Sequence, residues 1–314
     1  MNSSTIDISF VTINYNSSSH TIELVKSIVH HTSFIFEIIV IDNASQAEDY
    51  SALKNYCDTV PQVTLVRNRI NAGFASGNML GVNYASGKYY FFINNDCKLL
   101  NDAGKILKDF LDQNAQCTLA TGAIYDEKGG TSSSFKQFPH PTKQLLGNSV
   151  QRLFGAKKFP SNKTTLARPT EVEVCSGSCM FFRADGFCNL GGFDTSFFLY
   201  CEEEDICKRV WDKDGVVFYL PEAKIFHAGG GSSKENLLLE KEFYISYLLL
   251  FSKHYGQFQN CLLRLALLLK LFFRIFKRQH GLNIFLFVLG GAKAKHSLRY
   301  KQFITPKVSH DGRH

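Results

Sequence analysis

Four short apolar segments alternate with helix-like stretches over the first hundred residues, and this alternation restricts the fold more than any other feature of the chain. The segments are rich in Ile, Val, Phe and Tyr and cover residues 6–13, 37–42, 63–67 and 88–94. They are apolar on both faces, as strands buried in a parallel sheet are. The stretches between them cover residues 21–31, 47–58 and 77–85. Together they predict an α/β fold with a doubly wound, mostly parallel sheet.

The composition of the chain is that of a folded protein with reduced thiols. Its 314 residues are 45% hydrophobic and 20% charged, which excludes global disorder. The nine cysteines form no CxxC pair, and Cys175 and Cys179 lie in strand-like sequence. Free thiols are therefore favoured over a disulfide framework. The N-terminal sequence continues directly into a strand pattern without a basic flank, so we expect a cytoplasmic protein.

Positive charge is concentrated near the C-terminus. The net charge is +7, but the sequence from Lys253 onward holds twelve Lys and Arg and one acid, Asp311. The preceding sequence has a net charge of −4. This asymmetry predicts an anionic surface as partner of the tail.

Residues 259–279 combine Leu and Phe with five basic residues that would share an arc of roughly 140° on one helix. These are Arg264, Lys270, Arg274, Lys277 and Arg278. We expect an interfacial helix on an anionic membrane; the alternative is a helix packed under the catalytic domain with its basic face in water. A membrane-spanning helix is disfavoured because charges interrupt the apolar stretches and residues 283–291 are too few. Basic residues interleaved with Leu and Phe suit lipid rather than nucleic acid.

Polar residues follow the predicted strands, where ligands of such sheets bind. Thr12 and Asn14 end the first strand, and Asp42 ends the second. Asp42 could accept the N3–H of a uracil or thymine ring, or cap the next helix through an Asx turn, and both can hold together. In the segment 67–78, Gly73 allows close backbone approach, and the following helix N-terminus favours a diphosphate.

Two further groups of side chains suit metal binding and proton transfer. Asp96 follows the fourth strand and His227 closes a later one, so the pair could hold a divalent ion that bridges two phosphates. A turn residue and a strand-end histidine are the plainer alternatives. Four consecutive acids, Glu202 to Asp205, begin a predicted helix after the apolar sequence FFLY. Helix-dipole complementation explains one or two of them, and the mutual repulsion of all four suits a general base.

Taken together, these motifs resemble glycosyltransferase family two, and within it the rhamnosyltransferase-like branch that builds bacterial O-antigen and related polysaccharides. The matching segments occur in family order between Ile8 and Ser233. They are VTINYN, VIDNAS, NAGFASGN, FINND, CSGSCMFFR, GGFDTSFFLYCEEEDICKR and IFHAGGGSS.

The resemblance implies a GT-A fold with a Rossmann-like nucleotide half, a dTDP- or UDP-sugar donor, and Mn²⁺ or Mg²⁺ as cofactor. The metal ligands would be Asp96 and His227, and the base would be Glu203, with Glu202 or Asp205 as alternatives. The donor pocket would be lined by Thr12, Asn14, Asp42, Asn71, Gly73, Phe74, Asn78 and Asn95.

Two residues depart from the family pattern. The DxD motif is Asn94-Asn95-Asp96, so one carboxylate is missing and reliance on His227 should rise. Glu203 stands where the family has Asp, and its extra methylene moves the carboxylate by about 1.5 Å, a shift that matters in catalytic positioning.

We therefore expect a catalytic domain over 1–234, with a nucleotide half over about 1–100 and an acceptor half over about 101–234. Amphipathic helices in a basic tail over 235–314 would follow. The expected activity is inverting transfer of a sugar, rhamnose first, to a lipid-linked saccharide at the inner face of the plasma membrane. A sugar-nucleotide-binding scaffold without turnover is the rival hypothesis; a nucleotidyltransferase is disfavoured because a basic Gly-rich loop is missing.

Overall fold

The computed structural model describes residues 5–131, 133–139, 159–161, 164–229 and 236–304. The helices in these ranges are α1 Ser18–His31, α2 Ala47–Cys57, α3 Gly73–Val82, α4 Ala103–Gln113, α5 Ala184–Asn189, α6 Glu202–Asp212, α7 Leu237–His254, α8 Gln257–Phe272 and α9 Gly281–Leu289. The strands are β1 Ile8–Asn14, β2 Phe36–Asp42, β3 Val63–Arg67, β4 Tyr89–Ile93, β5 Cys97–Leu99, β6 Cys117–Tyr125, β7 Phe135–Lys136, β8 Thr170–Glu171, β9 Val174–Cys175, β10 Cys179–Arg183 and β11 Val216–His227.

One nine-stranded sheet organises the chain, in the order β3-β2-β1-β4-β10-β6-β11-β5, with β8 paired to β11. The first four strands run parallel. The second half is mixed, because β10 runs antiparallel to both β4 and β6. The four predicted strands of the parallel half are present within two residues at each end.

Helices cover both faces of this sheet. Leu24, Leu53 and Leu107, from α1, α2 and α4, belong to one apolar core. Ala75 of α3 and Ile206 of α6 belong to the core on the other face. Because both faces are covered, the central strands are apolar throughout, which is the pattern that the sequence shows.

Pro221 does not divide the strand that ends at His227. Strand β11 runs the full length from Val216 to His227, and its pairing with β6 shifts between Leu220 and Lys224. Pro221 lies at this irregularity, where its missing N–H costs no ladder hydrogen bond. The proline therefore marks a bulge and not the end of a strand.

Gly73 brings the nucleotide half against the acceptor half. Its φ is +79°, and a Cβ atom placed there would lie 2.1 Å from the carbonyl oxygen of Phe198. The backbone N–H of Phe74 donates to that same oxygen at 2.8 Å. Only glycine satisfies both the left-handed backbone and the close contact.

The tail differs from the single basic-faced helix predicted over residues 259–279. Helix α8 ends at Phe272 and the chain turns before α9, so Lys277 and Arg278 do not extend its basic face. Buried Leu263 and Leu267 of α8 pack with Phe251 of α7. One side of α8 therefore packs on another helix of the tail, and its packing under the catalytic domain stays a prediction.

Other expectations are met or lie outside the described residues. All nine cysteines are free. Among the described residues, no helix combines the length and hydropathy that crossing a bilayer requires. The expected boundary at 234/235 and residues 140–158 fall outside the described ranges.

Candidate active site

Asn14 is the centre of a buried polar network at the carboxyl ends of β1 and β2. Its amide nitrogen donates to Asp42 Oδ1 at 3.0 Å, to Ser45 Oγ at 3.0 Å and to Asp49 Oδ2 at 2.9 Å. Its amide oxygen accepts from Thr21 Oγ1 at 2.7 Å. These hydrogen bonds use both the amide N–H groups and the amide oxygen of Asn14. Asn14 therefore shapes the predicted nucleotide pocket by fixing the side chains around it.

Asp42 makes the Asx turn that was one of its two expected roles, and its contact with a nucleotide base stays a prediction. One oxygen accepts from the backbone N–H of Ser45 at 3.2 Å, which is the expected Asx turn. The Arg67 side chain lies 3.5 Å from the same oxygen and balances the fully buried charge. Thr12 lies on β1, two residues before Asn14, and its buried hydroxyl has no hydrogen-bond partner among the described residues.

The glycine-containing segment before α3 is fixed by its own side chains. Asn71 Oδ1 accepts from the N–H of Gly73 at 2.9 Å, and Asn78 donates to the carbonyl of Phe74 at 3.1 Å. Asn43 donates to the carbonyl of Gly73 at 3.0 Å. Their amides therefore position backbone in the predicted pocket.

Asn95 connects the predicted nucleotide pocket with the predicted metal site. Its amide donates to Ser17 Oγ at 2.6 Å and to Thr21 Oγ1 at 2.9 Å. Since Thr21 also donates to Asn14, one chain of hydrogen bonds connects the end of β1 with the segment that carries Asp96.

Strand pairing brings Asp96 and His227 together. Strand β5 runs antiparallel to β11, so that Cys97 stands opposite His227. Asp96 Oδ1 lies 3.1 Å from His227 Nε2, although 131 positions separate the two residues in the chain. Burial alone would raise the pKa of Asp96, but the hydrogen bond and charge of His227 bring that pKa below its usual value.

The spacing of these two atoms fits a divalent ion. Two ligands about 2.1 Å from an octahedral Mg²⁺-sized ion and at right angles would lie about 3 Å apart. Cys97 Sγ is within 4.8 Å of both ligand atoms, but it is buried and donates toward the carbonyl of Ser178. Burial holds the pKa of the Cys97 thiol well above its usual value. Asp96 and His227 as the ligands stay a prediction.

The acids at the start of α6 have different surroundings. Glu203 Oε1 lies 2.9 Å from Lys136 Nζ, and Glu204 Oε1 lies 2.5 Å from it. Glu202 is 3% exposed, and its Oε2 has no partner among the described residues. Burial, followed by the charge of Glu203, holds the pKa of Glu202 well above its usual value. A neutral Glu202 is a poor base at neutral pH.

Asp205 is a structural anchor. It is fully buried; Arg209 donates to its Oδ2 at 2.7 Å, and its Oδ1 lies 2.6 Å from Lys253 Nζ and 2.7 Å from His254 Nε2. Burial would raise the pKa of Asp205, but the hydrogen bonds from His254 and Lys253 and the charge of Arg209 lower it to about 2. Because Arg209, Lys253 and His254 already occupy both of its oxygens, Asp205 is disfavoured as the base.

Left-handed backbone directly precedes these acids. Tyr200 has a φ of 74° and Cys201, the N-cap of α6, a φ of 67°. Such conformations cost of order 1–3 kcal/mol each in residues other than glycine and persist where surrounding structure fixes them. Here Cys201 and Phe197 pack against Leu250 of α7.

Several residues at the site were not identified from the sequence. Lys136 lies in a stretch that has no strand or helix pattern. Asp49 lies four positions after Ser45, the last residue of the VIDNAS segment, and its contact with Asn14 could not have been anticipated. Lys253, which was counted among the tail charges, and His254 belong to the Asp205 cluster.

Comparisons with known proteins agree with this geometry. The family profile described as "Glycosyl transferase family 2" matches residues 9–190. The chain is 27% identical over 201 residues to the rhamnosyltransferase WbbL of Escherichia coli K12, covering 62% of this chain and 72% of that protein. It is 30% identical over 112 residues to the N-acetylglucosaminyl-diphospho-decaprenol L-rhamnosyltransferase of Mycobacterium tuberculosis, covering 33% of this chain and 35% of that one.

A solved structure shows the same architecture. The mannosyltransferase PcManGT of Pyrobaculum calidifontis, in complex with GDP-Man and Mn²⁺, superposes with a TM-score of 0.57 at 14% identity, covering 92% of this chain and 76% of that one. The expectation of a GT-A fold is confirmed.

The Asp205 cluster generates a stability prediction. We expect Asp205→Asn to lower the free energy of unfolding by about 3 kcal/mol at pH 7, because it removes the fully buried charge that pairs with Arg209 and Lys253. Asp212→Asn, which removes a half-exposed carboxylate from the same helix, should cost less than about 1 kcal/mol. Urea unfolding measures both.

The same cluster predicts a pH dependence. Because the pKa of Asp205 falls to about 2 on folding, its stabilisation is complete above its unfolded pKa of about 3.9 and is lost as pH falls toward 2. Equal losses in the two variants, or an acid transition unchanged by Asp205→Asn, would contradict the anchoring role.

Proposed function

Because this chain belongs to glycosyl transferase family 2, we propose that it is an inverting, metal-dependent glycosyltransferase. The donor is a nucleotide-diphosphate sugar, and the acceptor is a hydroxyl of a lipid-linked saccharide in surface polysaccharide synthesis. Rhamnose, from dTDP-L-rhamnose, is the first candidate sugar, supported by the names of the two relatives. UDP-hexoses and UDP-galactofuranose follow.

One turn, formed by Ser176, Gly177 and Ser178, carries this proposal because it touches both sides of the site. The carbonyl of Ser178 accepts from the backbone N–H of Asn94 at 3.1 Å, beside the strand end that holds Asp96. A Cβ atom at Gly177 would lie 3.7 Å from the Glu203 carboxyl carbon. The absence of a side chain there leaves space for an acceptor next to the carboxylate.

The proposed reaction is one in-line displacement. Glu203 removes the proton of the acceptor hydroxyl, whose oxygen bonds to the anomeric carbon on the face opposite the leaving diphosphate. The configuration at that carbon therefore inverts. The donor pocket around Asn14, Asp42 and Gly73 orients the nucleotide. A divalent ion held by Asp96 and His227 would supply positive charge to the diphosphate.

A donor panel tests the function. Purified protein with a lipid-linked acceptor should release nucleoside diphosphate from one of the dTDP- or UDP-sugars. Binding of a donor without release for any sugar in the panel would instead support the scaffold hypothesis.

Glu203 is expected to be the base. Glu203→Gln keeps the shape but removes the proton acceptor, so turnover should fall roughly 10²–10⁴-fold while the donor dissociation constant is unchanged. Glu222→Gln, at an exposed position of β11, is the control. Near-normal turnover of Glu203→Gln together with an inactive Glu202→Gln would transfer the role to Glu202.

The metal is expected to be essential. Imidazole suits Mn²⁺ at least as well as Mg²⁺, so Mn²⁺ should support transfer at equal or lower concentration. His227→Ala should raise the metal concentration needed, and His30→Ala, on α1, should not. Full transfer in excess chelator would remove the metal from the mechanism.

We also propose that the enzyme is peripheral to the cytoplasmic face of the plasma membrane. We call the outer side of α8, the turn that follows it and α9 the tail surface. This surface is the one that docks on the membrane. Its exposed apolar members include Phe273 at 73% and Phe276 at 94%; the others are Leu265, Leu269, Phe272, Leu282, Leu286 and Leu289. Basic side chains at Lys270, Arg274 and Lys277 accompany them. Apolar and basic groups together suit an anionic bilayer.

Vesicle binding tests this surface. Anionic vesicles should bind the protein, phosphatidylcholine vesicles poorly, and salt should weaken binding. Replacing Lys270, Arg274 and Lys277 by Gln should weaken it roughly 100-fold, at about 1 kcal/mol per charge. The control replaces Lys54, Lys105 and Lys208, which form exposed pairs on the sheet domain. Equal effects of the two triple variants would contradict the tail surface.

A further inference from the structure

Lys136 reaches the acidic end of α6 from a strand that the sequence did not predict. Strand β7 is two residues long and pairs with β9, so that Phe135 stands opposite Cys175 and Lys136 opposite Val174. Phe135 is buried against the ring of Tyr219, at 5.1 Å between ring centroids. Since neighbouring side chains in a strand point to opposite faces, anchoring Phe135 directs Lys136 away from this core.

The Lys136 ammonium lies between two carboxylates. Its Nζ atom is 2.9 Å from Glu203 Oε1 and 2.5 Å from Glu204 Oε1. Within the described part of the chain, no other lysine or arginine lies within ion-pair distance of either glutamate. The Lys136 side chain is 37% exposed, whereas those of Glu203 and Glu204 are 18% and 10% exposed.

We propose that Lys136 is a positioning residue that keeps Glu203 ionised and directs the acceptor proton to Glu203 rather than to Glu204. This inference rests on the proposed role of Glu203 as the base. Lys136 keeps its own proton throughout. When the acceptor O–H bond breaks, its proton binds Glu203, the acceptor oxygen bonds to the anomeric carbon, and the diphosphate leaves with its electron pair.

Two adjacent buried carboxylates without a cation would share one proton, because like charges a few ångströms apart oppose joint ionisation. Burial, followed by the charge of Glu203, raises the pKa of Glu204 to about 7. Burial acts in the same direction on Glu203, but the charge and hydrogen bond of Lys136 hold the pKa of Glu203 below its usual value. Near neutral pH, Glu203 is therefore ionised, whereas Glu204 is close to the midpoint of its titration.

Asp205 beside this cluster is ionised but has its own cationic partners, Arg209 and Lys253, and five further titratable groups around the cluster are neutral near pH 7. They are Glu202, the thiols of Cys175 and Cys201, and the phenols of Tyr247 and Tyr255 on the α7 side. Burial is the main reason why the pKa of each of these groups lies above its usual value. Lys136 is thus the positive charge that balances the cluster.

The test compares pH profiles of transfer at saturating donor. Lys136→Met keeps the chain length but removes the charge, so the pKa of Glu203 should rise and the acidic limb should move up by about 1–3 pH units. Lys136→Arg should restore most of the wild-type profile, and donor affinity should be unchanged in both. Lys105→Gln, on α4, is the control. An acidic limb that stays in place in Lys136→Met would overturn the proposal.

A second measurement does not need turnover. In protein carrying ¹³C at glutamate side-chain carboxyls, the Glu203 signal is the one missing from Glu203→Gln. Its titration should move up by the same 1–3 pH units in Lys136→Met, and an unchanged titration would overturn the role of Lys136. If wild-type protein transfers no sugar, the proposed function fails, while this titration still decides the role of Lys136. If Lys136→Met does not fold, Lys136→Gln takes its place.

Discussion

The buried ion cluster around Asp205 is the interaction on which the acceptor side of the site depends. A fully buried carboxylate is stable only with good geometry and several partners, and Arg209, Lys253 and His254 provide them. Arg209 belongs to the same helix, whereas Lys253 and His254 belong to α7. The cluster therefore fixes the N-terminus of α6 against the tail, and with it the position of Glu203.

The same constraint separates the roles of four consecutive acids. Successive residues on a helix point about 100° apart, so each acid meets a different part of the protein. Asp205 faces α7, Glu202 is buried and has no ion-pair partner in the described part of the chain, and Glu203 and Glu204 share Lys136. Their pKa values are shifted in different directions because their partners differ and not because their chemistry does.

The sequence predicted the parts of the site whose positions follow from strand order. Asn14, Asp42 and Asp96 follow buried strands, so the sheet alone gathers them at one edge. His227 could be expected there once its strand was recognised. Lys136 could not, because a two-residue strand carries no periodicity and its partner acids lie 67 and 68 positions away. The acids likewise formed one group in the sequence, since Lys253, a partner of Asp205, was counted among the tail charges.

The tail shows why hydrophobic periodicity alone could not decide between membrane and core. Helix α8 is apolar on two sides: Leu263 and Leu267 pack on α7, while Leu265 and Leu269 are about half exposed. The predicted single helix with one basic arc does not describe such a segment. The turn after Phe272 also separates the predicted basic residues into two parts of the chain. Packing on α7 uses only part of the apolar surface. The remainder, with Phe276 94% exposed among basic side chains, is what an anionic bilayer would cover.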